Sequence, residues 1–140
     1  MDKELKEIEK ILAESKKIAV VGISKNPDKT SREIADFLVD TGYEVVGVNP
    51  TFEGEDADGI KVYSKLTDIP FQIDIVNVFR RSGDIPELID DILTVNPKAL
   101  WLQLGIRNDK AVKPVFEKGI TVIQDKCIKV YYNLLNPSRF

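Results

Sequence analysis

Histidine is absent from this chain of 140 residues. In other proteins it supplies the base that activates serine and cysteine nucleophiles, a common metal ligand, and the phosphoryl acceptor of phosphohistidine intermediates. The sequence therefore excludes Ser–His and Cys–His catalytic pairs, metal binding by imidazole, and a phosphorylated histidine. Most familiar catalytic arrangements are removed by this one absence.

Cysteine, long apolar runs and an excess of one charge are also lacking. The single cysteine, Cys127, excludes an internal disulfide framework and a cysteine zinc site, and it fits a reducing compartment. No stretch approaches the roughly 18 apolar residues of a membrane span, and the first residues are charged where a signal peptide needs an apolar core. We therefore expect a cytoplasmic protein that does not contact membranes.

The charges nearly balance, with 20 basic and 23 acidic residues and a net charge of -3. No global field is present to attract nucleic acid, so any anion must be bound by local basic groups. With 43% apolar residues, the length suits one domain with a real core and is too short for two. Residues 1–16 are predicted to form an amphipathic helix that packs on a domain formed by residues 17–140.

Apolar runs alternate with segments of helical periodicity through the rest of the chain. Such alternation predicts a Rossmann-like, doubly wound α/β fold with a mostly parallel sheet and helices on both faces. Asn108 is expected to cap one helix, with Val115 and Phe116 facing inward. Strands are predicted at residues 18–21, 43–48, 59–63, 73–79, 99–102 and 120–123, helices at 31–42, 86–95, 108–119 and from 125 onward, a helical turn at 66–70, and a loop at 51–58.

The segment from residue 17 to residue 33 has the character of an anion-binding loop. A buried strand is followed by a polar loop, and Thr30 with Glu33 forms a predicted capping box at the start of a helix. The amides and dipole of a helix N-terminus attract anions such as phosphate. The alternative is that Gly22 supplies an ordinary turn and no ligand binds. Against it stands the density of donors, since the loop contains Ser24, Lys25, Asn26, Lys29, Thr30, Ser31 and Arg32.

This loop is not the dinucleotide fingerprint. Ser24 and Pro27 occupy positions where G-x-G-x-x-G requires glycine, and Asn49 stands where such sites place an acidic residue for the ribose hydroxyls. An uncharged side chain at that position tolerates a phosphate nearby. The pattern disfavours a nicotinamide cofactor and favours a phosphorylated ribose such as that of coenzyme A.

In a doubly wound sheet the ligand lies beyond the carboxyl ends of the strands. Arg80 and Arg81 follow one predicted strand and precede a helix N-terminus, where positive charge is disfavoured unless an anion is near. They could instead pair with Asp84 or Glu87. The other residues that follow strands are Asn49, Pro50, Phe79, Gln103 and Gly105, with Phe79 read as a core residue rather than a stacking platform.

Taken together and in order, these motifs resemble the stand-alone CoA-binding protein family, which is similar to the CoA-binding domain of the succinyl-CoA synthetase α subunit. The resemblance implies a Rossmann-type domain with the CoA diphosphate over the first loop and the adenosine near the ends of neighbouring strands. Family members commonly have arginine at the position of Lys29 and a Glu-His pair near Tyr131, which this chain lacks. The motifs are Gly22-x-Ser24, Pro27-x-Lys29-x-Ser31, Val48-Asn49-Pro50, Phe79-Arg80-Arg81-Ser82, Trp101-Leu-Gln103-Leu-Gly105 and Asp125-Lys-Cys127.

Three function classes follow. The first is a nucleotide-binding module that binds coenzyme A or an acyl-CoA without chemistry of its own, and the others are an enzyme acting on CoA thioesters and an NAD(P)-dependent oxidoreductase. A complete acyl-CoA synthetase reaction is excluded, because the chain lacks a histidine and the length for a nucleotide-grasping domain. We assign no catalytic residue and no metal ligand. The candidate ligand-binding residues are Gly22, Ser24, Lys25, Asn26, Lys29, Thr30, Ser31, Arg32, Asn49, Pro50, Phe79, Arg80, Gln103 and Gly105.

Overall fold

A computed structural model describes residues 2–52, 56–57 and 59–136, with the backbone alone for residues 56–57. Two short 3-10 helices, Leu66–Asp68 and Ser82–Leu88, supplement the regular elements. These elements are α1 (Lys3–Glu14), β1 (Lys17–Val21), α2 (Thr30–Asp40), β2 (Glu44–Val48), β3 (Asp56–Ala57), β4 (Ile60–Tyr63), β5 (Ile75–Val78), α3 (Ile89–Val95), β6 (Ala99–Leu102), α4 (Asp109–Glu117), β7 (Thr121–Ile123) and α5 (Ile128–Leu135).

Within the described residues the strands form one sheet in the order β3-β4-β2-β1-β5-β6-β7. All neighbours are parallel except β3, which is antiparallel to β4. The chain proceeds outward from β1 through β2 to β4, returns to β5 on the other side of β1, and proceeds outward again. The predicted doubly wound, mostly parallel α/β fold is therefore confirmed, with its switch in strand order between β1 and β5.

The central strand β1 is apolar along nearly its whole length because it is buried on both faces of the sheet. Ile18 and Val20 face a core layer covered by α1, α2 and α5, whereas Ala19 and Val21 face a layer covered by α3 and α4. No helix in the described part of the chain is long and apolar enough to cross a membrane.

The helix α1 contacts the rest of the domain through hydrogen bonds as well as through its apolar side. The Tyr43 hydroxyl donates to the backbone oxygen of Leu12 at 2.6 Å, and the Lys98 ammonium donates to the backbone oxygen of Glu14 at 3.1 Å. Burial, with a smaller contribution from Tyr132, raises the pKa of Tyr43 to about 12. Tyr43 therefore remains a neutral donor over the ordinary pH range.

Two local predictions are wrong, and a third, the helix at residues 86–95, is correct except for the helix type of its first residues. Lys29 is extended and occupies the position before α2, so Thr30 is the first helical residue and the predicted capping box does not form. The segment predicted as a helix from residue 86 is a 3-10 helix as far as Leu88, with Pro86 inside it, and becomes α-helical at Ile89. Phe116 is 69% exposed, because the core side of α4 is formed by Val112 and Val115.

The loop predicted at residues 51–58 lies partly outside the described residues, at positions 53–55 and 58. Its described part includes β3, a two-residue strand at the edge of the sheet. The other predicted strands and helices are present with boundaries shifted by one to a few residues.

Gly47 in β2 is required by close packing, and we predict that Gly47→Ala destabilises the fold by about 1–3 kcal/mol. A Cβ at this position would lie 2.6 Å from Cγ2 of the fully buried Ile23 and 3.2 Å from Cγ2 of Val62. Gly83→Ala is the matched control, since a Cβ there meets nothing within 4 Å. Urea denaturation measures both free energies of unfolding, and equal stabilities would contradict this account of Gly47.

Candidate ligand site at the carboxyl edge of the sheet

The backbone segments that follow β1 and β5 approach each other closely, at the switch in strand order. Gly22 follows β1 with a φ of +87°, and its N–H donates to the backbone oxygen of Val48 at 2.8 Å. A Cβ at Gly22 would collide with the backbone oxygen of Phe79 and lie 3.5 Å from Cδ of Arg80. Glycine is therefore required both by the left-handed conformation and by the close approach of the chain after β5.

Three cavities adjoin one another along this edge. The central cavity, of about 480 Å³, lies between the ends of β2, β4 and β5. It shares Gly22, Asn49 and Thr51 with the loop cavity of about 420 Å³, and it shares Phe79 and Arg80 with the far cavity of about 380 Å³. An elongated ligand could therefore extend along the edge from the first loop to the end of β6.

The loop between β1 and α2 is shaped by its own polar side chains. The N–H of Ser24 donates to the Ser31 hydroxyl oxygen at 3.1 Å, and the N–H of Asn26 donates to the Ser24 hydroxyl oxygen at 3.1 Å. The N–H of Asp28 donates to the side-chain oxygen of Asn26 at 3.0 Å. Ser31, one of the candidate ligand-binding residues, is only 7% exposed, so it shapes the loop from a buried position and does not face solvent.

The cations predicted in this loop occupy different environments. Lys25 and Lys29 are exposed, and the Lys25 ammonium lies 5.1 Å from the ring centre of Phe52 beside the loop cavity. Arg32 is 1% exposed and its Nε lies 3.2 Å from a carboxylate oxygen of Asp36. One helical turn places Arg32 beside Ala35 on the buried side of α2, so this candidate is not an exposed cation of the loop.

Asn49 joins two of the loops that form the edge. Its amide nitrogen donates to the backbone oxygen of Ile23 at 2.9 Å. Its amide oxygen accepts from the N–H of Thr51 at 2.9 Å and from the Thr51 hydroxyl at 2.7 Å. Asn49 thus holds the loop after β1 against the loop after β2, and the exposed Pro50 next to it lines the central cavity.

Arg80 and Arg81 pair with acidic residues, as one of our two alternatives expected. Nη2 of Arg80 lies 3.7 Å from a carboxylate oxygen of Asp84 and 3.5 Å from one of Glu87, and Nε of Arg81 lies 3.4 Å from Asp84. Phe79 is half-buried and packs against the core beneath the cavities. The predicted reading of Phe79 as a core residue agrees with this position.

Gln103 and Gly105 lie at different depths at the end of β6. Gln103 is 3% exposed and its amide nitrogen donates to the side-chain oxygen of Asn77 at 2.5 Å. The amide nitrogen of Asn77 is buried without a hydrogen-bond partner in the described residues. Gly105 is exposed at the rim, has a φ of +86°, and donates its N–H to Asp125 at 2.6 Å. Of the two, only Gly105 lines the far cavity.

Sequence reasoning missed several residues that line the central cavity. Ser64 and Lys65 directly follow β4, so the rule that ligands lie beyond strand ends could have found them. The acidic Glu87 and Asp91 lie in the next segment after β5, where no strand end marks them. Among the described residues, no group of three or more cysteine, aspartate and glutamate side chains could hold a metal ion.

The fold and this edge define a doubly wound α/β protein with an extended cleft at its switch point. The sequence pattern described as the CoA binding domain matches residues 16–133. The chain belongs to this CoA-binding domain family.

The chain is also similar to individual proteins and solved structures. The uncharacterized protein YneT of Bacillus subtilis (strain 168) is 47% identical over 124 residues, which cover 89% of this chain and 90% of YneT. The structure of cell-free ID.343 from Thermus thermophilus is 33% identical with a TM-score of 0.91, over 96% of this chain and 99% of that one. The dinucleotide forming acetyl-coenzyme A synthetase 1 of Ca. Korarchaeum cryptofilum is 25% identical with a TM-score of 0.66, over 78% of this chain and 26% of the synthetase.

The Asn49 side chain donates as well as accepts in these loops, whereas the Asn26 side chain serves as an acceptor, and this difference gives a prediction. In Asn49→Asp a carboxylate would face the backbone oxygen of Ile23, which then loses its donor. We expect a loss of about 1–3 kcal/mol, the usual cost of an unsatisfied buried group. Asn26→Asp should be nearly neutral, because its side-chain oxygen accepts from Asp28 and a carboxylate can do the same.

Urea denaturation at neutral pH compares the two asparagine variants with the parent chain. If Asn26→Asp were as destabilising as Asn49→Asp, then the donor role of Asn49 would not be the reason for its effect.

Proposed function

We propose that this protein binds coenzyme A or an acyl-CoA at the carboxyl edge of its sheet, in the cytoplasm, as a binding module without chemistry of its own. One observation carries the proposal: a chain that matches the CoA-binding family over residues 16–133 also has three adjoining cavities across the switch in strand order. Coenzyme A is a long ligand with a base, a diphosphate and a pantetheine arm, so it needs a cleft of this extended form.

The diphosphate is best accommodated at the loop cavity. The described residues that line this cavity include Lys25 and no carboxylate, and Lys29 is exposed immediately before α2. The start of α2 lies next to this cavity, because the N–H of Ser24 donates to the Ser31 hydroxyl oxygen, and a helix start attracts anions through its backbone amides and dipole. Because Ser24, Asn26 and Ser31 already fix the loop, little ordering entropy opposes binding.

The adenosine is best accommodated at the central cavity. Val48, Leu66 and Leu88 provide apolar walls, and Pro50 and Thr51 lie at the opening. Apolar walls with a few polar groups are typical of sites for flat organic ligands. Because the diphosphate joins the adenosine to the pantetheine arm, the arm would leave the loop cavity on the side away from the central cavity.

A binding role accounts for the sequence better than an enzymatic one. The chain has no histidine, and no nucleophile paired with a base stands out in the sequence. It covers 26% of the archaeal acetyl-coenzyme A synthetase, so the reaction of that whole enzyme is not carried over to this chain. An enzyme acting on CoA thioesters and an NAD(P)-binding protein are the competing candidates, and the ligand experiment below separates the second of them from the proposal.

The order of ligand affinities tests the proposal. We expect CoA to bind more tightly than dephospho-CoA, and both to bind more tightly than NAD. A charge-assisted hydrogen bond to the 3′-phosphate contributes roughly 1.5–3 kcal/mol, so its loss should weaken binding about tenfold or more. Thermal-shift titrations at low and moderate salt measure this, and salt should narrow the difference. Greater stabilisation by NAD than by CoA would contradict the proposal.

The placement of the diphosphate gives a second prediction. Lys25→Gln and Lys29→Gln should each weaken CoA binding about three- to tenfold, which corresponds to about 1 kcal/mol for an exposed charge-assisted contact. Lys10→Gln removes the same charge from the outer surface of α1, at the other end of the sheet, and should leave the affinity unchanged. Calorimetric titration compares the three variants. If all three bound CoA equally well, the diphosphate would not lie over this loop.

A further inference from the structure

Arg80 lies at the centre of the cleft. It lines both the central and the far cavity, and its Cδ would lie 3.5 Å from a Cβ at Gly22. The aliphatic part of the side chain therefore passes over the end of β1, at the switch in strand order. Any ligand that extends along the edge from the loop cavity to the far cavity must pass this side chain.

The guanidinium of Arg80 is already engaged by two carboxylates of the 3-10 helix Ser82–Leu88. These contacts, 3.7 Å to Asp84 and 3.5 Å to Glu87, are ion pairs longer than good hydrogen bonds. Arg80 is one-third exposed and Glu87 is 70% exposed, so the pairs are only weakly stabilising. A ligand phosphate can therefore replace the two carboxylates as the partner of the guanidinium, because little free energy is lost when these ion pairs break.

A ligand phosphate next to Arg80 would compete with Asp84 and Glu87 for one cation. We propose that Glu87, with Asp84, lowers the affinity for CoA by holding Arg80 in the ligand-free protein, and that Arg80 transfers from these carboxylates to a ligand phosphate on binding. The inference rests on the proposed function. It adds a contact within the chain that competes with ligand binding and lowers the affinity for CoA.

A second effect of Glu87 must be separated from competition. Glu87 also lines the central cavity, so its charge could simply repel a phosphate without involving Arg80. Competition requires Arg80, whereas direct repulsion does not. A double-mutant cycle of Arg80 and Glu87 distinguishes the two mechanisms.

The experiment measures CoA affinity by calorimetric titration for the parent chain, Glu87→Gln, Arg80→Gln and the double variant. We expect Glu87→Gln to bind CoA about two- to fivefold more tightly, the range for an exposed ion pair. We expect Arg80→Gln to bind more weakly, and the addition of Glu87→Gln to change nothing in that background. Glu117→Gln is the control, because it removes an exposed carboxylate at the end of α4, before β7 begins, and should not change the affinity.

Two outcomes would overturn the inference while the proposed function stands. In one, the parent chain binds CoA but Glu87→Gln binds it no more tightly. In the other, Glu87→Gln tightens binding equally with and without Arg80, so that Glu87 acts by direct repulsion. Failure of the parent chain to bind CoA would instead remove the proposed function itself. Thermal unfolding without ligand establishes that each variant is folded.

Discussion

Strand β1 hydrogen-bonds to β2 on one side and to β5 on the other, and the rest of the structure depends on this central position. Right-handed crossovers place α2 on one face and the helices α3 and α4 on the other. The loops after β1 and β5 consequently diverge to opposite faces and leave a crevice between them. Gly22 and the start of the segment after β5 lie at the bottom of that crevice, where only glycine fits.

The uncharged polar side chains at this edge connect its loops, and the charged side chains differ from one cavity to the next. Ser24, Asn26, Ser31 and Asn49 use their hydrogen bonds to connect the loops to one another, so the cleft has its shape before a ligand arrives. The charged groups are divided differently along the edge. The loop cavity is lined by a lysine, whereas the central cavity contains two cations and two carboxylates, with Glu87 among them. The described lining of the loop cavity therefore carries a positive charge, whereas the charges around the central cavity balance.

The fold could be predicted because each buried strand of the parallel sheet is marked by a short apolar run and each helix by a 3.6-residue period. The position of the cleft followed from the same pattern through the rule of strand ends. The burial and the ion pairs of individual side chains could not be predicted from this pattern. Arg32 lies near the start of α2 and Gln103 directly follows β6, so both were candidates for this edge. Both are buried, because helix phase and sheet register direct their side chains inward. A shift of one residue in an element boundary changes that direction. The ion pairs of Arg80 depend on a 3-10 helix whose type the local sequence did not reveal.

The register of β1 also bears on how the chain folds. Ile18 lies beside Val45 of β2 and beside Ile75 of β5, so one of its neighbours is close in the sequence and the other is distant. The unit β1-α2-β2 closes a short loop, whereas docking of β5 closes a longer one and carries a greater entropic cost. The first half of the chain can therefore gain its hydrogen bonds early, but the cleft exists only after the second half has docked. With the proposed function, a ligand in that cleft would hold the two halves together and would increase the protection of the backbone amides between β1 and β5 from hydrogen exchange.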